Sequence, residues 1–313
     1  MREFDVAVIG AGVAGLTAAA TAARHGVRVI VVDSLGAGGQ VMTVERIENF
    51  PGSAEPVAGY ELGPTLQEQA ELAGAEFLLD EVQSIATDGP MPVITCAGEQ
   101  VAARTVIIAA GSSRRPLDIP GEEALKGRGV SHCASCDGPL YKGMTVAIIG
   151  GGDSAFDEAR MIANHAGQVL IIHRNYTLRA AKPLVHKVAA LGNVKIHLNT
   201  TIEEIIGTTV VTAISLRDQT TGQSRIEPTD GVFVYVGLEP NTGFLQGQLA
   251  LSDDRRIVTD RSMQTSVPGI FAAGDIRHGS VALLAEVAGD GATAAMAALR
   301  HLDTAMASLH AAE

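Results

Sequence analysis

Cys133-Ala134-Ser135-Cys136-Asp137 carries the most legible chemistry in the chain. Two cysteines separated by two residues can alternate between a dithiol and a disulfide, exchanging two electrons. Asp137 adjoins the pair and could protonate a departing thiolate; a solvent-capping role is the plainer alternative. The same spacing serves metal sites and structural disulfides. Against a metal, Cys96 is the one further cysteine and no second Cys-x-x-Cys completes a zinc knuckle, so no metal centre is expected. Three cysteines cannot staple a scaffold of several disulfides. Cys96 reads as a buried strand residue. His132 could lower a neighbouring thiol pKa when charged, or could equally be a surface residue.

A redox pair needs an electron source, and two glycine-rich turns point to one. Phe4–Ile9 is a short β-rich run, followed by Gly10-Ala11-Gly12-Val13-Ala14-Gly15, an alanine-rich helix over 16–25, and a strand over 27–32 that ends in Asp33. Strand, glycine turn, helix, strand and acid form a dinucleotide-binding unit. Gly10 permits the tight turn, Gly12 admits a pyrophosphate, and Gly15 lets helix and strand approach. The helix N-terminus favours the phosphates, and Asp33 can accept hydrogen bonds from an adenosine ribose. The alternative is an ordinary glycine turn.

The second unit repeats the first. Thr145–Ile149 reads as a strand, Gly150-Gly151-Gly152-Asp153-Ser154-Ala155 opens a helix through Ala163, and Val169–Ile172 leads into His173-Arg174. Gly150, Gly152 and Ala155 match the small-residue form of the fingerprint, so a second dinucleotide is expected there. A duplicated domain that kept its turn without its ligand is the competing reading. Between the fingerprints, a helix is expected around 62–72 and a strand over 101–109. Further strands are expected at 195–198, 210–217, 231–235 and 270–273, and a helix over 283–302. Pro116 and Pro120-Gly121 mark a crossover, and Gly237–Asn241 marks the return. The expected architecture is α/β, with two Rossmann-like FAD/NAD(P)-binding domains, the second inserted in the first. Residues 1–116 and 248–313 would form one domain and 117–247 the other.

Bulk properties narrow the field. With 313 residues the chain can bury two cores. A formal charge of -12 without a basic run argues against nucleic acid or anionic membrane as partner. The glycine turn interrupts the first apolar strand too early for a signal peptide, and no apolar stretch reaches spanning length, so a cytoplasmic location is expected.

Across almost its whole length the chain resembles the low-molecular-weight thioredoxin reductases. The resemblance rests on the first fingerprint, Gly39-Gln40, Asn49–Gly52, Cys133–Gly138, Gly150–Ala155, Gly269–Asp275 and Gly289-Asp290-Gly291, in order and spacing. The larger disulfide reductases carry their redox pair in the first domain, where Gly36–Gln40 here has no cysteine. The resemblance implies FAD in the domain made from the chain ends. Gly10, Gly12 and Gly15 would lie around its pyrophosphate, Asp33 at its ribose, Gly274 and Asp275 near the ribityl–phosphate region, and Gln40 and Asn49 toward the flavin. It implies a reduced nicotinamide on the middle domain at Gly150, Gly152, Asp153, Ser154, Ala155, His173, Arg174 and Arg179. It further implies a homodimer that alternates between two domain orientations, with thioredoxin or a similar small dithiol protein as partner. Cys136 would face the flavin and Cys133 would attack the partner disulfide.

Two departures bear on the electron path. Members using NADPH usually carry His-Arg-Arg-Asp-x-x-Arg, whereas here the stretch is His173-Arg174-Asn175-Tyr176-Thr177-Leu178-Arg179. Arg174 and Arg179 could still grip a 2′-phosphate, which favours NADPH over NADH, but Asn175 offers only a neutral group. Ala282-Leu283 stand where Arg-Gln is common, which leaves open a flavin-dependent thiol oxidase, a specialised small-molecule disulfide reductase or a ferredoxin-fed relative. The retained second fingerprint weighs against the last.

Overall fold

The computed structural model describes residues 1–53 and 55–310. The chain forms two compact units, Met1–Ser113 with the segment from Glu239 onward, and Arg114–Leu238. The second unit is therefore inserted in the first.

In the first unit Arg2–Ile9 pairs in parallel with Val29–Asp33 on one side and Gln100–Ile108 on the other. Glu76–Leu79 extends the sheet beyond Val29–Asp33, and Ile270–Ala272 also runs parallel to Gln100–Ile108. Val93–Cys96 and Val82–Ala86 continue it in antiparallel fashion. The central strands are buried on both faces, so they read as nearly continuous apolar runs. Val6, Val8 and Val31 pack on one face with Leu16 and Ala19 of helix Val13–Ala23 and with Ala294 and Ala298 of helix Leu284–His310. Ala7, Ile9 and Ile30 point to the other face, where Ile94, Ile257 and Leu245 meet them. The long helix runs past the expected end at residue 302 because no glycine or proline interrupts 301–310.

In the second unit five parallel strands lie in the order Val194–His197, Gln168–Ile172, Thr145–Ile149, Gly231–Val234, Val130–Ser131. Helices Asp153–Ile162 and Lys182–Ala189 supply part of the apolar layer on one face, with Phe156 and Val188 fully buried. A three-stranded antiparallel sheet, Thr200–Gly207, Val211–Asp218 and Ser224–Pro228, contributes Ile205, Ile214 and Leu216 to the opposite layer. Among the described residues no helix is long and apolar enough to cross a membrane.

Candidate active site

The two cysteines meet as a disulfide, Cys133–Cys136, with their Cα atoms 5.4 Å apart. They lie on a single turn of helix, Ala134–Asp137, for which Cys133 is the N-cap. The Cys136 amide donates to Cys133 Sγ over 3.2 Å, so the sulfur caps its own turn. Ser131 Oγ accepts the Cys133 amide at 3.1 Å, and Tyr235 Oη accepts the buried Ala134 amide at 3.2 Å. Cys136 is exposed and Cys133 half-buried. Asp137 ends the turn, half-buried, its amide donating to Cys133 O at 3.1 Å. Burial, and then the negative charges of Asp137 and Asp230, push the Tyr141 hydroxyl above its ordinary pKa. That ring meets Phe233 edge to face, in space left free because residue 231 is glycine. The His132 ring nitrogen Nδ1 lies 3.3 Å from Val234 O. Cys96, by contrast, is a free and buried strand residue whose thiol pKa is pushed up to about 11, by burial first and then by Asp80 and Glu99. A raised pKa keeps this thiol protonated and unreactive at neutral pH.

The second fingerprint lies in the same unit. Gly150 leaves its strand and Gly152 caps helix Asp153–Ile162 without a side chain. A Cβ placed on Gly152 would meet nothing within 4 Å, which leaves the helix end open to a bulky anion. Ala155 is buried beneath the turn, whereas Asp153 and Ser154 are exposed. Asp153 Oδ1 accepts the Ala181 amide at 2.7 Å, fastening the loop that follows His173. His173 is buried, with Nε2 3.2 Å from Thr177 O and its ring against the Gly151 backbone; burial lowers its pKa. Arg174 and Arg179 are exposed. The Arg179 amide donates to Gly151 O at 2.8 Å, which ties the arginine loop directly to the glycine turn.

In the first unit Gly10 adopts φ +104°, and a Cβ there would fall 2.4 Å from Ala109 O. A Cβ on Gly15 would fall 1.9 Å from Gly10 O, so the helix touches the turn backbone to backbone. Gly12 caps helix Val13–Ala23 and faces open space. Asp33 Oδ2 accepts the Ala11 amide at 2.7 Å, while Oδ1 accepts Leu35 and Gly36 amides at 2.8 Å. The acid thus holds the turn as well as ending the strand. Gln40 Nε2 donates to Ser112 O at 2.8 Å, and Ser112 Oγ lies 3.5 Å from Asp275 Oδ2. Three distant segments converge there. Burial raises the Asp275 pKa, opposed by Arg256, with Glu286 adding to the rise. Asn49 is exposed in its loop. Ser112 and Tyr235 were not marked by sequence motifs. The same holds for Arg277, which bridges Asp290 Oδ1 at 2.9 Å and Glu286 Oε1 at 2.5 Å. Asp290 also accepts the Gly274 amide at 3.1 Å, clamping the turn that carries Asp275.

Residues 4–301 match the pyridine nucleotide-disulphide oxidoreductase family. Thioredoxin reductase of Treponema pallidum is 40% identical over 302 residues, covering 96% of this chain and 98% of that one. The fold superimposes on a Lactococcus lactis thioredoxin reductase with TM-score 0.92 and 34% identity, covering 96% of this chain and 99% of the other. A thioredoxin reductase of T. acidophilum gives TM-score 0.90 and 35% identity, over 97% and 99%. The chain belongs to the low-molecular-weight thioredoxin reductase family, with its two Rossmann-like FAD/NAD(P)-binding domains.

Proposed function

We propose that this chain is an FAD-dependent thioredoxin-disulfide reductase that passes two electrons from NADPH to a small dithiol protein through Cys133 and Cys136. One observation carries the reading: the cysteines are joined on a dinucleotide-fold unit, with the Cys136 amide aimed at Cys133 Sγ. An amide aimed at a sulfur stabilises a thiolate more than a disulfide sulfur. Once the pair is reduced, that amide favours ionised Cys133, which suits it as the nucleophile toward a partner disulfide. Cys136 then resolves the mixed disulfide, and the proton a leaving thiolate needs comes from Asp137.

The open Gly12 turn fits the FAD pyrophosphate, with Gly10 and Gly15 forming the turn and Asp33 at the ribose side. Gln40, Asn49, Gly274 and Asp275 complete our assignment for the flavin end and ribityl chain. FAD, when bound, supplies two-electron exchange between a nicotinamide and a disulfide. The open Gly152 turn fits the nicotinamide dinucleotide, with Gly150, Asp153, Ser154 and Ala155 around it. Arg174 and Arg179, on a loop braced by buried His173, supply the positive charge for a 2′-phosphate, which is our ground for NADPH rather than NADH. We assign the inserted unit to nicotinamide binding, the two flanking parts of the chain to FAD, a homodimer as the working state, and the cytoplasm as its compartment.

Anaerobic mixing tests the reading. NADPH should bleach the flavin faster than NADH, and added thioredoxin disulfide should then yield free thiols. Failure of both nucleotides to reduce the flavin rejects it. Oxygen uptake driven by a dithiol without nicotinamide would replace it with a thiol oxidase.

A further inference from the structure

Tyr235 follows strand Gly231–Val234, far in sequence from the cysteines, yet its hydroxyl reaches the redox turn. Only 8% of the residue is exposed, and Ala134, whose amide it accepts, is 1% exposed. A buried amide without an acceptor is costly, so this contact holds the start of the turn. The ring is held in place too: the Arg114 guanidinium lies 4.8 Å from its centroid, and the Tyr235 amide donates to Ile149 O at 2.8 Å. The turn has only four residues, Ala134–Asp137, too few to keep its own geometry. The Cys136 amide that meets Cys133 Sγ is in that turn.

We propose that Tyr235 is a positioning residue for the redox pair: by accepting the Ala134 amide, its hydroxyl keeps the Cys136 amide aimed at Cys133 and so favours the reduced, ionised form. The inference rests on the dithiol/disulfide role assigned above and adds a residue to it. In the half-reaction concerned, dithiothreitol gives up two electrons and two protons and closes to its cyclic disulfide. The Cys133–Cys136 bond opens to two thiols, and Cys133 then releases its proton to water. Loss of the Tyr235 acceptor loosens the turn, weakens the hydrogen bond to the thiolate and makes the disulfide harder to reduce.

The test equilibrates the parent holoenzyme and Tyr235→Phe with dithiothreitol redox buffers and counts free thiols. It also follows the pH dependence of iodoacetamide alkylation after reduction. Tyr235→Phe keeps the ring and removes one oxygen; Tyr235→Leu is the second acceptor-free variant should Phe not fold. The expected result is an equilibrium shifted about five-fold toward the disulfide, equivalent to about 20 mV, with the alkylation midpoint moved to higher pH. A parental equilibrium and alkylation profile overturn the proposal, even if the melting temperature falls. The readout needs neither NADPH nor thioredoxin, so it is separate from failure of the reductase reading.

Discussion

At the scale of single residues, Cys133 Sγ accepts the amide of Cys136. Asp137 ends the turn that begins after Cys133. If it supplies the proton to the departing thiolate, Asp137→Asn slows thiol release from thioredoxin by about 100-fold. Steady-state turnover checks this, and parental turnover would leave Asp137 with solvent capping alone. Asp275 is a different case. Burial raises its folded pKa, so its carboxylate is less comfortable in the folded protein than in the unfolded chain. The stability it contributes is complete below the ordinary carboxylate range and is lost as pH rises through the raised folded value. FAD-free Asp275→Asn is therefore expected to melt a few degrees above the FAD-free parent at neutral pH. The gap should close toward pH values below about 4. Calorimetry across that range tests the sign; a constant difference would contradict it.

At the scale of elements, the glycine turns show why two copies of one motif tolerate different residues. A methyl group on Gly15 would collide with Gly10 O, a backbone atom that cannot rotate away. Gly15→Ala should cost about 1–3 kcal/mol and lower the retained flavin, measured by denaturant unfolding and flavin content. The equivalent place in the second turn already holds buried Ala155, so that helix stands off far enough for a methyl group. The arginine loop is similarly built from outside. Asp153 anchors Ala181, Gly151 accepts the Arg179 amide, and buried His173 fills the inside, leaving Arg174 and Arg179 outward. Replacing both arginines with alanine should reduce discrimination for NADPH over NADH at least ten-fold in kcat/KM, since each guanidinium contact to phosphate contributes roughly 1.5 kcal/mol or more. An unchanged ratio would remove the loop from nucleotide choice.

For the whole molecule, one chain carries two dinucleotide units, the second inserted in the first, and puts its sulfur pair on the inserted one. If the working unit is a homodimer, sedimentation equilibrium gives twice the chain mass at micromolar concentration; a monomer that remains fully active would refute it.

Local order was readable because each fingerprint joins a short, nearly continuous apolar strand, a turn that only small residues permit, and a helix. Thr145–Ile149 stands where its pattern puts it, and the expected 169–172 strand begins one residue earlier, at Gln168. The cysteine pair was equally legible, since its chemistry needs only two thiols at short spacing. Tyr235, Ser112 and Arg277 carry no such local signature, although Asp290, which Arg277 bridges, lies in the Gly289-Asp290-Gly291 motif. A tyrosine after an apolar strand looks like core until the fold brings Ala134's amide to its hydroxyl, and Ser112 looks like a turn until Gln40 arrives from 72 residues away. Spacing along a chain determines what neighbours in sequence can do together. Hydrogen bonds between distant segments depend on strand order and register, and those are decided only when the sheets close.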